Sequence, residues 1–349
     1  MVDEPPGIES ISPEKAVEMH LRNVASNDAA WTRTSHESDL RPFLEWCQEE
    51  GGIEHLHDLT GRDLFEFRIW RRDGGYSNGQ VDELAPATLD GNLSTVRSFL
   101  KFAATIDAVH DDLFEKVPLL DLSKHDEVSD SYITPERVPE IVDYLGQYEY
   151  AGRDHVVWTL IWKTGMRISG VRALDLRDLS LDGSRPILQL RHRPPTTPLK
   201  NDEKSERDNR IDDHTRVVLQ GYLEGPRVSK LDDEGRKPLV TTEYGRVTHS
   251  AIRDSVYRWT RPCQVGLGCP HDLDPDSCEY TYHDYMSKCP SARSPHDVRK
   301  ARVTAHRNEN VPRGVVSDEL DASEDVLDKH YDRASKRKKA HRRWRLIQE

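Results

Sequence analysis

The chain has 349 residues, enough for two domains of ordinary size, and 32% of its side chains are charged. It holds no run of about 18 apolar residues, which excludes a membrane-spanning helix, and its acidic start (Met1, Val2, Asp3, Glu4) lacks a secretory signal, so the expected compartment is the cytoplasm. The net charge of −12 argues against a nucleic-acid binder only if it is spread evenly, and it is not. From His330 onward eight Lys or Arg (Arg333 to Arg345) stand against Asp332 and Glu349. The chain has 36 Asp to 26 Glu and 35 Arg to 15 Lys. That balance reads as a surface suited to a salt-loaded cytoplasm of the archaeal, halophile kind, where negative charge holds hydration. The acidity then describes the surroundings more than the partner.

Residues 1–12 are rich in Pro and Glu and are expected to be disordered. Ser12 caps a first helix with Pro13 in its opening turn. A second helical pattern covers about residues 29–50, through Trp31, Leu40, Phe43, Leu44, Trp46 and Cys47, and stops at Gly51-Gly52. Cys47 reads as a small buried hydrophobe. A third runs from about Gly61 to Asp73 and a fourth from about residue 86 to 107. Residues 13–115 are therefore a four-helix unit without strand signals. Its Arg68, Arg71, Arg72, Arg97 and Lys101 are candidate phosphate contacts. A polar linker, 116–133, follows. Residues 134–349 form a second domain, opened by Thr134-Pro135-Glu136 at a helix start. It continues through an apolar helix at Val156–Thr164 and two strand-like runs, Ile187–Leu190 and Asn209–Asp212. It contains a Cys-rich insertion at 261–290 and a basic tail at 333–349. The fold class expected is mainly α with a small β-sheet (α+β).

Four segments of the second domain carry chemical groups. Thr164-Gly165-Met166-Arg167-Ile168-Ser169 ends the apolar helix. Lys200 and Lys204 lie between the strand-like runs. Ser294-Pro295-His296-Asp297-Val298-Arg299 places His296 and Arg299 on one helical face. Tyr331 follows in Leu327-Asp328-Lys329-His330-Tyr331. Taken singly these read as an ion-paired Arg, a solvated hairpin tip, a satisfied His and a packing Tyr.

Their order and spacing change that reading. An Arg, a hairpin Lys, a His-x-x-Arg and a later Tyr resemble the tyrosine recombinase (integrase) family. Thr-Gly-Met-Arg-Ile-Ser is similar to its first-arginine box and Pro-His-Asp-Val-Arg to its second. The N-terminal helical unit resembles the family's core-binding, SAM-like domain. The resemblance implies site-specific recombination of double-stranded DNA through a 3′-phosphotyrosyl intermediate, by a homo-tetramer on two sites that clamps the duplex between its domains. In that scheme Tyr331 attacks the phosphorus. Arg167 and Arg299 hold the non-bridging oxygens. Lys200 protonates the leaving 5′-oxygen, with Lys204 the second candidate, and His296 assists proton transfer or binds the phosphate. No cofactor enters the chemistry. Two positions depart from the family: Gly170 stands where an acidic residue usually follows Ser, and Ala322 stands nine residues before the Tyr, where a His or Trp is usual. The second departure leaves open a non-catalytic DNA-binding protein on the same fold. A type IB topoisomerase shares the chemistry and is the other alternative.

Cys263, Cys269, Cys278 and Cys289 fall close together in the insertion. In a reducing compartment such a set suggests a structural zinc before disulfides, although the spacings are not those of a common finger. His271 and His283 are alternative ligands.

Overall fold

The computed structural model describes residues 10–27, 30–77, 79, 81–123, 131–327, 337, 340 and 344. The chain divides into two compact units, Met1–Ser129 and Asp130–Glu349. No helix among the described residues is long and apolar enough to cross a membrane.

In the first unit the described regular elements are α1 (Pro13–Asn27), α2 (Ala30–Glu49), α3 (Gly61–Arg72) and α4 (Pro86–Thr105), with short 3-10 turns between them. The starts follow local chemistry. Ser12 Oγ accepts from the Lys15 N–H at 3.4 Å. Thr60 and Asp63 close a reciprocal capping box at α3, and Pro86 occupies the first turn of α4. The apolar faces meet in an aromatic core: Phe43 lies edge-on to Phe67 at 5.4 Å, and Phe67 to Trp46 at 5.8 Å. Cys47 is fully buried there, and burial pushes its thiol far above the usual range.

The basic residues of this unit divide. Arg71 is buried and spends its guanidinium on Asn92 Oδ1 and the Gly75 carbonyl, so it is a structural residue and not a phosphate contact. Arg72 pairs with Asp73 at 2.7 Å. Arg97 and Lys101 remain exposed on α4.

The second unit contains α5 (Arg137–Tyr148), α6 (Arg153–Thr164) and α7 (Ile168–Ala173). An antiparallel sheet in the order β1-β2-β3 follows, with β1 (Leu179–Ser180), β2 (Ile187–Leu190) and β3 (Arg207–Arg210). Then come α8 (Asp213–Glu224), a hairpin of β4 (Thr241–Thr242) and β5 (Gly245–Arg246), α9 (His249–Thr260), α10 (Pro295–Asn308), α11 (Arg313–Leu320) and α12 (Glu324–Val326). The α6 helix is apolar all round, and α5, α8, α9 and α10 pack against it, as expected of a helix hydrophobic on every face. β3 begins at Arg207, two residues before the predicted run, because the register that pairs Leu188 with Asn209 sets where the ladder starts. Helix α5 begins at Arg137 rather than at Pro135, after a turn in which Thr134 Oγ1 accepts from the Arg137 N–H at 3.3 Å. A buried ion network ties the β4–β5 hairpin to the end of α7, where Arg246 bridges Asp175 and Asp232 and Arg193 holds Asp178.

Candidate active site

The α6 helix ends at Gly165 in the left-handed region, φ +61°. Glycine is needed there twice over, because a Cβ would also fall 2.0 Å from Leu320 Cδ2. The turn projects Arg167 at the start of α7. Its Nη1 donates to Asp321 Oδ2 at 2.6 Å and its Nη2 to the Asp321 carbonyl at 2.9 Å.

Arg299 lies on α10, whose first turn is set by a capping box between Ser294 and Asp297. It is only 2% exposed. Its Nη1 donates to the Gly165 carbonyl at 2.6 Å and its Nη2 to the Leu320 carbonyl. The two predicted clamp arginines therefore converge on one piece of chain, Leu320–Asp321. Arg207 and Asn209 of β3 also reach it, donating to the Glu319 carbonyl at 3.0 and 3.4 Å. The C-terminal carbonyls of α11, which have no partner within their own helix, are thus met by cations.

Lys200 is exposed and lines a shallow cleft together with Arg167, Ser169, Ser205, Arg207 and Asp321. Lys204 is not among the residues lining that cleft. His296 is exposed at the first turn of α10, yet its dense surroundings and the cations Lys300, Arg299 and Arg167 hold its pKa down to about 4, against a weaker pull from Asp297. At neutral pH its ring is uncharged and able to accept a proton. Tyr331 lies outside the described residues, as does almost all of the tail from Arg333 to Arg345.

Ala322 is buried with Val303, Val316, Leu320 and Leu327 in a small apolar cluster. The position that carries a hydrogen-bond donor in the resembled family is here part of a core. Sequence reasoning did not single out Asp321, Ser205 or Arg207 as members of this site. Nothing in the spacing marks Asp321, since its role depends on a left-handed backbone turn that only the folded chain shows.

The four insertion cysteines are free thiols. Burial pushes the Arg261 pKa down, and the neighbouring Cys263, Cys289 and Cys278 oppose that shift. Among the described residues no group of three or more His, Cys, Asp or Glu is arranged to hold a metal ion.

One consequence of Arg299's position can be measured. Arg299→Ala removes two charge-assisted bonds and leaves the Gly165 and Leu320 carbonyls unpaired, at about 1–3 kcal/mol for each buried group. We expect a melting temperature lowered by several degrees or more, with Arg299→Lys intermediate. Native-like melting of Arg299→Ala would show that the guanidinium does not brace this junction.

Residues 21–105 match the family model for the phage integrase, N-terminal SAM-like domain. The chain is 28% identical over 169 residues to the tyrosine recombinase XerC of Roseiflexus sp. (strain RS-1), covering 47% of this chain and 50% of that protein. It thus spans about half the length of that curated relative. It is 21% identical over 267 residues to the tyrosine recombinase XerD of Lacticaseibacillus casei, covering 76% and 81%. Among solved structures, the Tn1549 transposon integrase in complex with a circular intermediate DNA superposes with a TM-score of 0.62 at 15% identity, covering 95% of this chain and 98% of that one. The XerH recombinase bound to palindromic difH substrate in a post-cleavage complex superposes with a TM-score of 0.61 at 13% identity, covering 95% and 82%. Residues 21–105 thus match the SAM-like domain of phage integrases, and the chain shares the fold of the Tn1549 transposon integrase and the XerH recombinase.

Proposed function

We propose that the chain is a tyrosine-type site-specific DNA recombinase that cleaves and rejoins double-stranded DNA through a 3′-phosphotyrosyl link. The observation that carries the proposal is the meeting of Arg167 and Arg299 on one segment, Leu320–Asp321, beside a cleft that Lys200 lines. The Arg167 guanidinium in that cleft can stabilise charge on a phosphorane, with Arg299 bracing the junction behind it, and a cation at the cleft edge can supply a proton to the leaving 5′-oxygen. His296, uncharged at neutral pH, assists proton transfer or contacts the phosphate. The phosphotyrosyl ester conserves the phosphodiester bond energy, and the freed 5′-hydroxyl, or that of a second strand, reverses the step. The working assembly is a homo-tetramer on two DNA sites. The compartment is the cytoplasm, and the Asp- and Arg-rich composition fits a halophilic archaeal source.

The test is incubation of the chain with end-labelled genomic fragments flanking its own gene, followed by a denaturing gel. A covalent protein–DNA adduct confined to particular fragments is expected. Relaxation of any supercoiled plasmid without site preference would favour a topoisomerase. Binding without an adduct would favour a DNA-binding protein on the same fold, the reading that Ala322 supports.

A structural zinc on Cys263, Cys269, Cys278 and Cys289 is also proposed, on residue type and spacing alone. Elemental analysis should give about one zinc per chain. Zinc-free protein with four freely reactive thiols would rule it out.

A further inference from the structure

Asp321 follows α11 in the left-handed region, φ +51°. Gly or Asn is the ordinary occupant of such a helix-ending position, because a Cβ is crowded there. The Asp found here puts its carboxylate to use. It accepts from Arg167 Nη1 at 2.6 Å, from Ser205 Oγ at 2.7 Å and from Asn201 Nδ2 at 3.2 Å. These donors come from two separate places, the start of α7 and the β2–β3 loop that carries Lys200. The carboxylate sits in the same cleft that Arg167, Lys200, Ser205 and Arg207 line. A carboxylate and the two non-bridging oxygens of a phosphodiester present the same feature to such donors, a forked pair of anionic acceptors.

We propose that Asp321 is a built-in stand-in for the scissile phosphate, holding the anion position of the clamp until a DNA phosphate displaces it. The proposal rests on the DNA-cleaving reading above and adds a gate to it. With the plug in place, Arg167 is aimed and the Lys200 loop is fastened through Asn201 and Ser205, but the cleft resists a stray phosphate. Displacement needs no covalent step: the incoming phosphate takes over the three donors and the Asp321 side chain turns outward. Mild acid does not open the gate. Burial works against the charge, yet the bonds from Ser205 and Arg167 outweigh it and hold the carboxyl below its usual range. The trigger is therefore a competing anion, presented by bound DNA at high local concentration.

The rival role for Asp321 is to position Arg167 for catalysis, and the two roles predict opposite results. Two variants separate them. Asp321→Asn keeps the shape and removes the charge. Asp321→Gly also relieves the left-handed backbone, which offsets part of the lost bonds, and the melting of both variants is measured beside binding. The first readout is binding of inorganic phosphate by calorimetry, which needs neither cleavage nor a known DNA site. A plug predicts that both variants bind phosphate about tenfold more tightly than the parent chain, since a like charge has left the site. It also predicts that the gain vanishes when Arg167→Ala is added. The second readout is the rate of adduct formation, which should rise in both variants. Unchanged or weaker phosphate binding in both, with native melting, overturns the plug. If phosphate binding tightens while the parent chain forms no adduct on any DNA, the plug stands and the recombinase reading falls.

Discussion

Tyr331→Phe should abolish the covalent protein–DNA adduct while leaving DNA affinity within about twofold of the parent chain, as expected when no phosphate or base contact is lost. The substitution keeps the ring and removes only the oxygen that would attack phosphorus. The remaining groups act on an attack in progress. In the proposed scheme Arg167 stabilises charge as it develops, and Lys200 protonates the group that leaves. Loss of one such donor lowers a rate by about 10²–10³ and leaves a measurable remainder. Loss of the nucleophile leaves nothing to stabilise, so the adduct should fall below detection. The chain is held near the clamp shortly before Tyr331: Leu327 is 2% exposed in the cluster with Val303 of α10 and with Val316 and Leu320. The check is a denaturing gel for the adduct beside a native mobility shift on the same duplex. An adduct that persists in Tyr331→Phe would mean that another residue attacks. Loss of the mobility shift would mean that the phenol serves binding.

The helices were legible because their signals are local. Ser12-Pro13, Gly51-Gly52 and Pro295 act within a single turn, and the structure starts or stops helices within a few residues of each. The β2 strand was read at its observed limits, Ile187–Leu190, while β3 was read two residues late. Its alternation is weak: only Asn209 of β3 is buried, and register with β2 decides the rest. At the site, Arg167, Lys200, His296 and Arg299 were singled out from sequence, and the structure places Arg167 and Arg299 on the same short segment. The segment itself was invisible. Its role depends on helix-end carbonyls and on a left-handed Asp, and neither leaves a pattern in composition or spacing. Arg71 shows the opposite failure. Its place on a basic face suggested phosphate contact, but a tertiary partner, Asn92, had already taken the side chain.

Stability should fall steeply between pH 6.5 and pH 4, in both units, because each buries a histidine that cannot take a second proton without losing a contact. In the second unit His155 is 1% exposed. Its Nδ1 accepts from the Ala151 N–H at 3.1 Å, so protonation there would set one N–H against another. Burial, reinforced by the neighbouring His214 and opposed by Asp143, holds its pKa at about 4. In the first unit His20 is 3% exposed, its Nε2 lies 3.0 Å from His36 Nδ1, and burial with the influence of His36 brings its pKa to about 4 as well. The sign follows from linkage. The folded pKa lies below the unfolded value near 6.5, so the unfolded chain binds more protons throughout the interval and acid favours unfolding. Above pH 6.5 these residues contribute no slope, and below pH 4 the loss is complete. A shift of this size amounts to about 3 kcal/mol for each group at the lower limit. Burial and Arg302 bring the pKa of His306, in the second unit with His155, to about 4 as well, so part of the acid loss remains when His155 is replaced. The test uses His155→Asn, which keeps an acceptor near the Nδ1 position and cannot titrate in this range. Denaturant unfolding of the second unit at pH 7 and at pH 4.5 should show a large drop for the parent chain and a drop smaller by about 2–3 kcal/mol for the variant. Equal drops in the two proteins would place the acid sensitivity of that unit elsewhere.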